Sequence, residues 1–151
     1  MTAPIVKTIT VACNAAQAFE IFVARISVWW PLDRHAASAA AGKAALAVTI
    51  EPQVGGKVYE TMWDGAIDHW GEVLAYEPPR HFAMTWHPGN NKDHPTRVAV
   101  LFEDMPDGGC RVTLTHSGWE AWADRADAMR ENYNNGWDAV LARFIAAAGR
   151  D

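Results

Sequence analysis

The sequence predicts an α+β domain in which a long C-terminal helix lies across an antiparallel sheet. Three observations lead there. Over residues 97–103, Val98, Val100 and Phe102 point one way, and over residues 111–117, Val112, Leu114 and His116 share a face opposite Arg111, Thr113 and Thr115. Such period-two alternation marks strands with one wet and one covered face, as antiparallel sheets have. Tyr133, Trp137, Val140, Leu141, Phe144, Ile145 and Ala148 then recur at intervals of three and four, the apolar stripe of a helix that can supply the cover. Strand-like and helical stretches are also segregated, with no internal repeat and no dividing linker, which fits one domain over residues 1–151.

The elements follow in order. Residues 5–11 read as a first strand, with Ile5, Ile9 and Val11 on one face and threonines on the other. Asn14 is a good N-cap and Gln17 stands three residues later, a variant of the capping box, while Phe19, Phe22, Val23 and Ile26 follow at helical spacing. This helix is expected to end near Trp29, because the residue before Pro31 is pushed out of the α region. Residues 35–45 are Ala-rich and weakly patterned, so a loop, a short helix and a mobile segment all fit. From Ala47 onward come strands separated by turn signals at Gly55-Gly56, Asp64-Gly65, Pro78-Pro79 and Asp107-Gly108-Gly109, with a longer polar connection over residues 87–95. The order is strand, helix, about six strands, long helix. The last helix should begin near Asp124 and close at Gly149, where a C′ glycine belongs.

Length and composition bound the function. A chain of 151 residues should bury about 70% of its extended surface in one core, and 50% hydrophobic with 21% charged residues is ordinary for a globular protein. With 13 Lys and Arg against 18 Asp and Glu, the net charge of -5 leaves no basic field for nucleic acid or anionic lipid. The N-terminus lacks the apolar core of a signal peptide and no stretch approaches the roughly 20 apolar residues that span a bilayer, so a cytoplasmic location is the default expectation. Cys13 and Cys110 suggest neither a disulfide framework nor a zinc ribbon and read as structural thiols. No cofactor or metal is expected. HExxH, GxSxG, GxxxxGK[ST] and GxGxxG are all missing, and His87, Asp93 and His94 share a polar connection but match no ligand spacing.

The unusual feature is eight tryptophans, at positions 29, 30, 63, 70, 86, 119, 122 and 137. Their large apolar area and polar N–H suit both a plain core and the wall of a cavity with some polar content. His116 lies on the inner face of its strand, where an imidazole must find a partner; it is a structural histidine or a group for chemistry. Glu60 shares a face with Val58 and Met62, and Tyr59 with Thr61 and Trp63, so either the carboxylate or the Tyr–Trp pair is inward. An inward Glu60 could act as a general acid or ligand partner; an outward one is a solvated surface acid.

An ordered set of short motifs resembles the START-like, helix-grip superfamily, and within it the group named after homologues of the activator of the heat-shock chaperone ATPase. The set is Trp29-Trp30-Pro31, Glu51-Pro52 with Val54-Gly55-Gly56, Gly71-Glu72-Val73 with Glu77-Pro78-Pro79, and Thr85-Trp86. It continues with the run from Arg111 to His116, Gly118-Trp119, and Asn135-Gly136-Trp137 with Val140-Leu141. The resemblance implies a curved antiparallel sheet of about six or seven strands wrapped on the C-terminal helix. It also implies a cavity between them that in many relatives accepts lipids, sterols, polyketides or hormones. Since the fold hosts carriers, cyclases and co-chaperone domains, the activity does not follow from it. Chaperone activators carry a further N-terminal domain for which 151 residues leave no room, which argues against a direct chaperone role.

Three readings result. The first is a binding protein for a small apolar or aromatic molecule, with His116, Glu60, Trp137, Trp86, Tyr133, Trp119, Leu141 and Trp29 as ligand-binding candidates and no residue assigned to catalysis. The second is a cyclase- or hydrolase-type enzyme using His116 and Glu60 as acid and base. The third is an interaction module that assists a chaperone or self-associates as a homodimer.

Overall fold

The alternating stretches form seven strands in a computed structural model that describes residues 2–89 and 92–149. The strands are β1 (Ile5–Val11), β2 (Ala47–Ile50), β3 (Lys57–Thr61), β4 (Ile67–Glu77), β5 (His81–Trp86), β6 (Thr96–Asp104) and β7 (Cys110–Ser117). They build one antiparallel sheet in the order β1-β7-β6-β5-β4-β3-β2. Strands β2 to β7 are therefore a meander, and β1 joins it at the edge of β7. Each of the four expected turns falls between two paired strands. Of the polar connection over residues 87–95, Asn90 and Asn91 lie outside the described residues.

Register places the inward side chains in rows. Ile5 pairs with His116, His116 with Val98, Val98 with Met84 and Met84 with Val73, and all five are at most 1% exposed. Across this face lies helix α3 (Ala126–Ala148), burying Trp137, Val140, Leu141, Phe144 and Ala148. The curved sheet and the helix it grips make an α+β helix-grip fold. No helix among the described residues is long and apolar enough to cross a membrane.

The first helical stretch is capped as expected. Asn14 accepts from the Gln17 N–H, and the Gln17 side chain accepts from the Asn14 N–H. The stretch ends at Trp29, as the pre-proline rule requires, with Trp30 already extended. It is not one helix, however. It breaks into α1 (Ala15–Val23) and α2 (Ile26–Trp29), with the N–H groups of both Ala24 and Arg25 donating to the Glu20 carbonyl at the joint. The break lets Ser27 reach β2, where its hydroxyl donates to the Val48 carbonyl and accepts from the Val48 N–H, both at 2.8 Å.

The C-terminal helix also differs at both ends from its expected form. A 3-10 segment, Trp119–Arg125, precedes it, and the left-handed backbone of Ala123 (φ 50°) delays the α-helix to Ala126 rather than Asp124. Gly149 closes it with φ -88°, so it ends the helix without the left-handed turn of a C′ glycine.

Candidate functional site

Residues 35–45, undecided from the sequence, hold a short 3-10 helix, Ala37–Ala41, and Glu60 explains its order. The Glu60 side chain is inward and fully buried. One carboxylate oxygen accepts from the Ala37 N–H at 2.7 Å; the other accepts from the Ser38 N–H at 2.9 Å and the Ser38 hydroxyl at 2.7 Å. A carboxylate at the start of a helical turn meets its unpaired donors and its positive end. Tyr59 and Trp63 accordingly face outward, Trp63 being 42% exposed. Glu60 thus anchors a segment of chain that stands over the sheet.

That segment walls a cavity of about 270 Å³. Arg34, His35, Ala36 and Ala37 form one side and the end of β5 another, through Trp86 with Pro88 and Gly89 beyond it. Helix α3 closes the third side with Tyr133, Gly136, Trp137 and Val140, which fall on one helical face. Trp30 completes the wall. Gly136 keeps the space open, because a Cβ there would meet only the His35 ring, at 3.6 Å. Asp68 steadies the far rim by accepting from the Gly89 N–H and from Trp70 Nε1, both at 3.0 Å. Trp30, Trp70, Trp86 and Trp137 pack as a cluster with ring centroids 5.3–6.0 Å apart, close to the offset and edge-on geometries aromatic rings prefer.

Behind this wall lies His116, fully buried and with both ring nitrogens engaged. Trp137 Nε1 donates to its Nδ1 at 3.0 Å. The Thr96 hydroxyl donates to the Trp86 carbonyl at 2.9 Å, which leaves its oxygen to accept from His116 Nε2–H at 2.7 Å. This network selects the neutral tautomer protonated at Nε2. Burial pushes the imidazole down to about 3, so nothing in its surroundings favours the charged form. Trp119 donates from Nε1 to the His116 carbonyl at 3.0 Å and packs on its ring.

Of the eight candidates read from the sequence, the structure therefore brings Trp86, Tyr133 and Trp137 to the cavity. His116 and Trp119 stand behind them, and Glu60 supports the wall. Leu141 and Trp29 face the core instead; Trp29 packs on Phe22 and Phe144 and donates to the Ile21 carbonyl. Its neighbour Trp30 turns to the cavity because the chain leaves α2 between them. Trp30, Arg34 and His35 escaped the sequence reading, and Gly136 stood in the Asn135-Gly136-Trp137 motif without being counted among the ligand-binding candidates. The Trp29-Trp30-Pro31 run held the signal for Trp30, whereas no pattern at the start of the Ala-rich stretch marked Arg34 and His35. His87, Asp93 and His94 do not converge: His94 stacks on Trp122 and contacts the Ala121 carbonyl through Nδ1. No group of three metal-ligating side chains occurs among the described residues.

Two polar groups at the cavity lack well-formed bonds. Trp86 Nε1 is buried without a hydrogen-bond partner. The nearby Tyr133 phenol is pushed up to about 12 by burial, against a smaller opposite pull from the Trp86 side chain. The indole N–H thus reaches toward the phenol oxygen, but no bond of good geometry joins them. At the mouth, burial first and then the charges of Arg34 and Arg143 hold the His35 imidazole below its ordinary value, with Asp33 opposing.

No curated protein matches the chain. Among solved structures it is similar to an anthrahydroquino-γ-pyrone synthase, at 29% identity and a TM-score of 0.64 over 96% of both chains. It is also similar in fold to protein MLL2253 from Mesorhizobium loti, at 15% identity and a TM-score of 0.70 over 95% of this chain and 94% of that one. A third likeness is to the Aha1 dimer from Colwellia psychrerythraea, at 15% identity and a TM-score of 0.69 over 97% and 96%. The helix-gripping sheet is common to this group, and because residues 14–149 match its sequence pattern, the chain belongs to the family of activator of Hsp90 ATPase homologue 1-like proteins.

Proposed function

We propose that the domain binds a small apolar or aromatic molecule between α3, the end of β5 and residues 34–37. The observation that carries this is the cavity: about 270 Å³ of space walled by Trp30, Trp86 and Trp137 and kept open by Gly136. Ligand sites are typically concave, mostly apolar and fitted with a few polar groups, and a space of this volume suits a compact ligand. Titration with aromatic ligands should quench tryptophan fluorescence saturably and raise the melting temperature. The variant Gly136→Met, which projects a side chain into the space, should stay folded and lose both responses. A wild-type protein that responds to none of a broad apolar panel would remove the reading.

A reaction on the bound molecule is the second reading, supported by the 29% identical likeness to a synthase. Neither ring nitrogen of His116 is free, so the acid–base groups at the cavity are Tyr133 and His35. Turnover that survives His116→Asn but not Tyr133→Phe would support it; a ligand recovered unchanged after long incubation would count against it. Self-association has a local feature behind it, since Leu46, Trp63 and Ile67 stay exposed around the β2 edge of the sheet. Light scattering at the mass of one chain would set that aside.

A further inference from the structure

Three features of the cavity bear on the chemistry of its occupant. The first is the pair formed by Tyr133 and Trp86. A buried N–H without a partner is costly and rare in native structures, yet Trp86 Nε1 is one. Its neighbour Tyr133 borders the cavity, and its hydroxyl has no well-formed bond among the described residues. A phenol oxygen that accepts from the indole has its own proton free to donate outward, and burial keeps that proton in place well above neutral pH. Each bond in such a chain strengthens the other, so an acceptor placed in the cavity would draw both into shape.

The second feature is the mouth. Arg34 borders the cavity, is exposed and has no carboxylate partner among the described residues. With Arg143 it sets a positive field on His35 that Asp33 offsets only in part. The third is size and shape. At the packing density of protein interiors, 270 Å³ holds about 200 Å³ of molecule, roughly three fused rings, and the three tryptophan rings lining it favour an aromatic one.

Building on the reading that this cavity binds a ligand, we propose that the occupant is a planar aromatic carboxylate that carries a ring carbonyl. The carbonyl oxygen accepts the Tyr133 hydroxyl, with Trp86 Nε1 donating to the phenol oxygen behind it. The carboxylate stands at the mouth against Arg34. Tyr133 is then the group that selects an acceptor-bearing ring over a hydrocarbon one.

Three probes of almost one shape separate these terms: fluorenone carboxylate, fluorene carboxylate, which replaces the carbonyl by a methylene, and fluorenone, which lacks the acid. Affinities are read by tryptophan fluorescence. The wild-type protein should prefer fluorenone carboxylate to fluorene carboxylate by about 3- to 10-fold, the worth of one net hydrogen bond. That preference should vanish in Tyr133→Phe while fluorene carboxylate binds as before, which also shows the variant to be folded. Fluorenone carboxylate should exceed fluorenone by about 2- to 5-fold, as expected of an exposed ion pair, and Arg34→Gln should abolish the difference. Equal binding of all three probes to the wild type, or a carbonyl preference that persists in Tyr133→Phe, overturns this inference and leaves the pocket reading standing. If none of the three binds, and none of the apolar panel either, the pocket reading itself fails.

Discussion

His116 stands between Ile5 and Val98 in the inward row, a fully buried place that an imidazole holds in its neutral form. The consequence for stability has a definite sign. The folded value lies near 3 and the ordinary one at 6.5, so between these limits the unfolded chain takes up a proton that the folded chain refuses. Stability is full above pH 6.5 and falls by about 1.4 kcal/mol per pH unit toward pH 3. Chemical denaturation across this range should give that slope in addition to the carboxylate contribution, and His116→Gln should flatten it; an unchanged acid limb in the variant would contradict the assignment. The two indoles near His116 make a matched pair. Trp137→Phe deprives His116 Nδ1 of its donor, whereas Trp86→Phe deletes an N–H that has no partner. Both lose similar volume, so Trp137→Phe should be the less stable by about 1–3 kcal/mol, read as a lower melting temperature. The inward facing of His116 was legible from alternation alone. Its role was not, because Thr96 and Trp137 reach it from other elements and no local pattern announces them.

At the scale of elements, the segment before β2 takes its order from a strand distant in sequence. The short helix Ala37–Ala41 has weak apolar patterning and no side-chain cap of its own, and Glu60 in β3 supplies the acceptors instead. Glu60→Gln keeps the shape but offers an amide N–H where a second acceptor is required. A loss of about 1–3 kcal/mol should follow, together with faster amide exchange over residues 36–42 and weaker ligand binding at the cavity they wall. Unchanged exchange there would show the clamp to be idle. The same distinction covers the first helical stretch. Its cap, its end before Pro31 and its apolar face are local features and were readable. Its break at Ala24–Arg25 serves the Ser27 bonds to β2, a partner more than 20 residues away.

For the whole molecule, strand periodicity, turn residues and the C-terminal apolar stripe were enough to place a long helix over an antiparallel sheet, since each depends on neighbours in sequence. How the space beside that helix is walled depends on the turn of Trp30 and on a short segment clamped by Glu60, and these become visible only when the elements meet. Tryptophan abundance pointed to aromatic walls without saying which rings make them. The indole N–H groups now offer a direct report, because Trp86 and Trp137 border the cavity while Trp63 is exposed in the turn after β3 and Trp122 packs under His94 at some remove. The most direct measurement is a nitrogen–proton NMR titration of the eight indoles with fluorenone carboxylate. Binding in the cavity predicts saturable shifts at Trp86, Trp137 and Trp30 with Trp63 and Trp122 unmoved. Shifts confined to Trp63 or Trp122, or none at saturating probe, would contradict it.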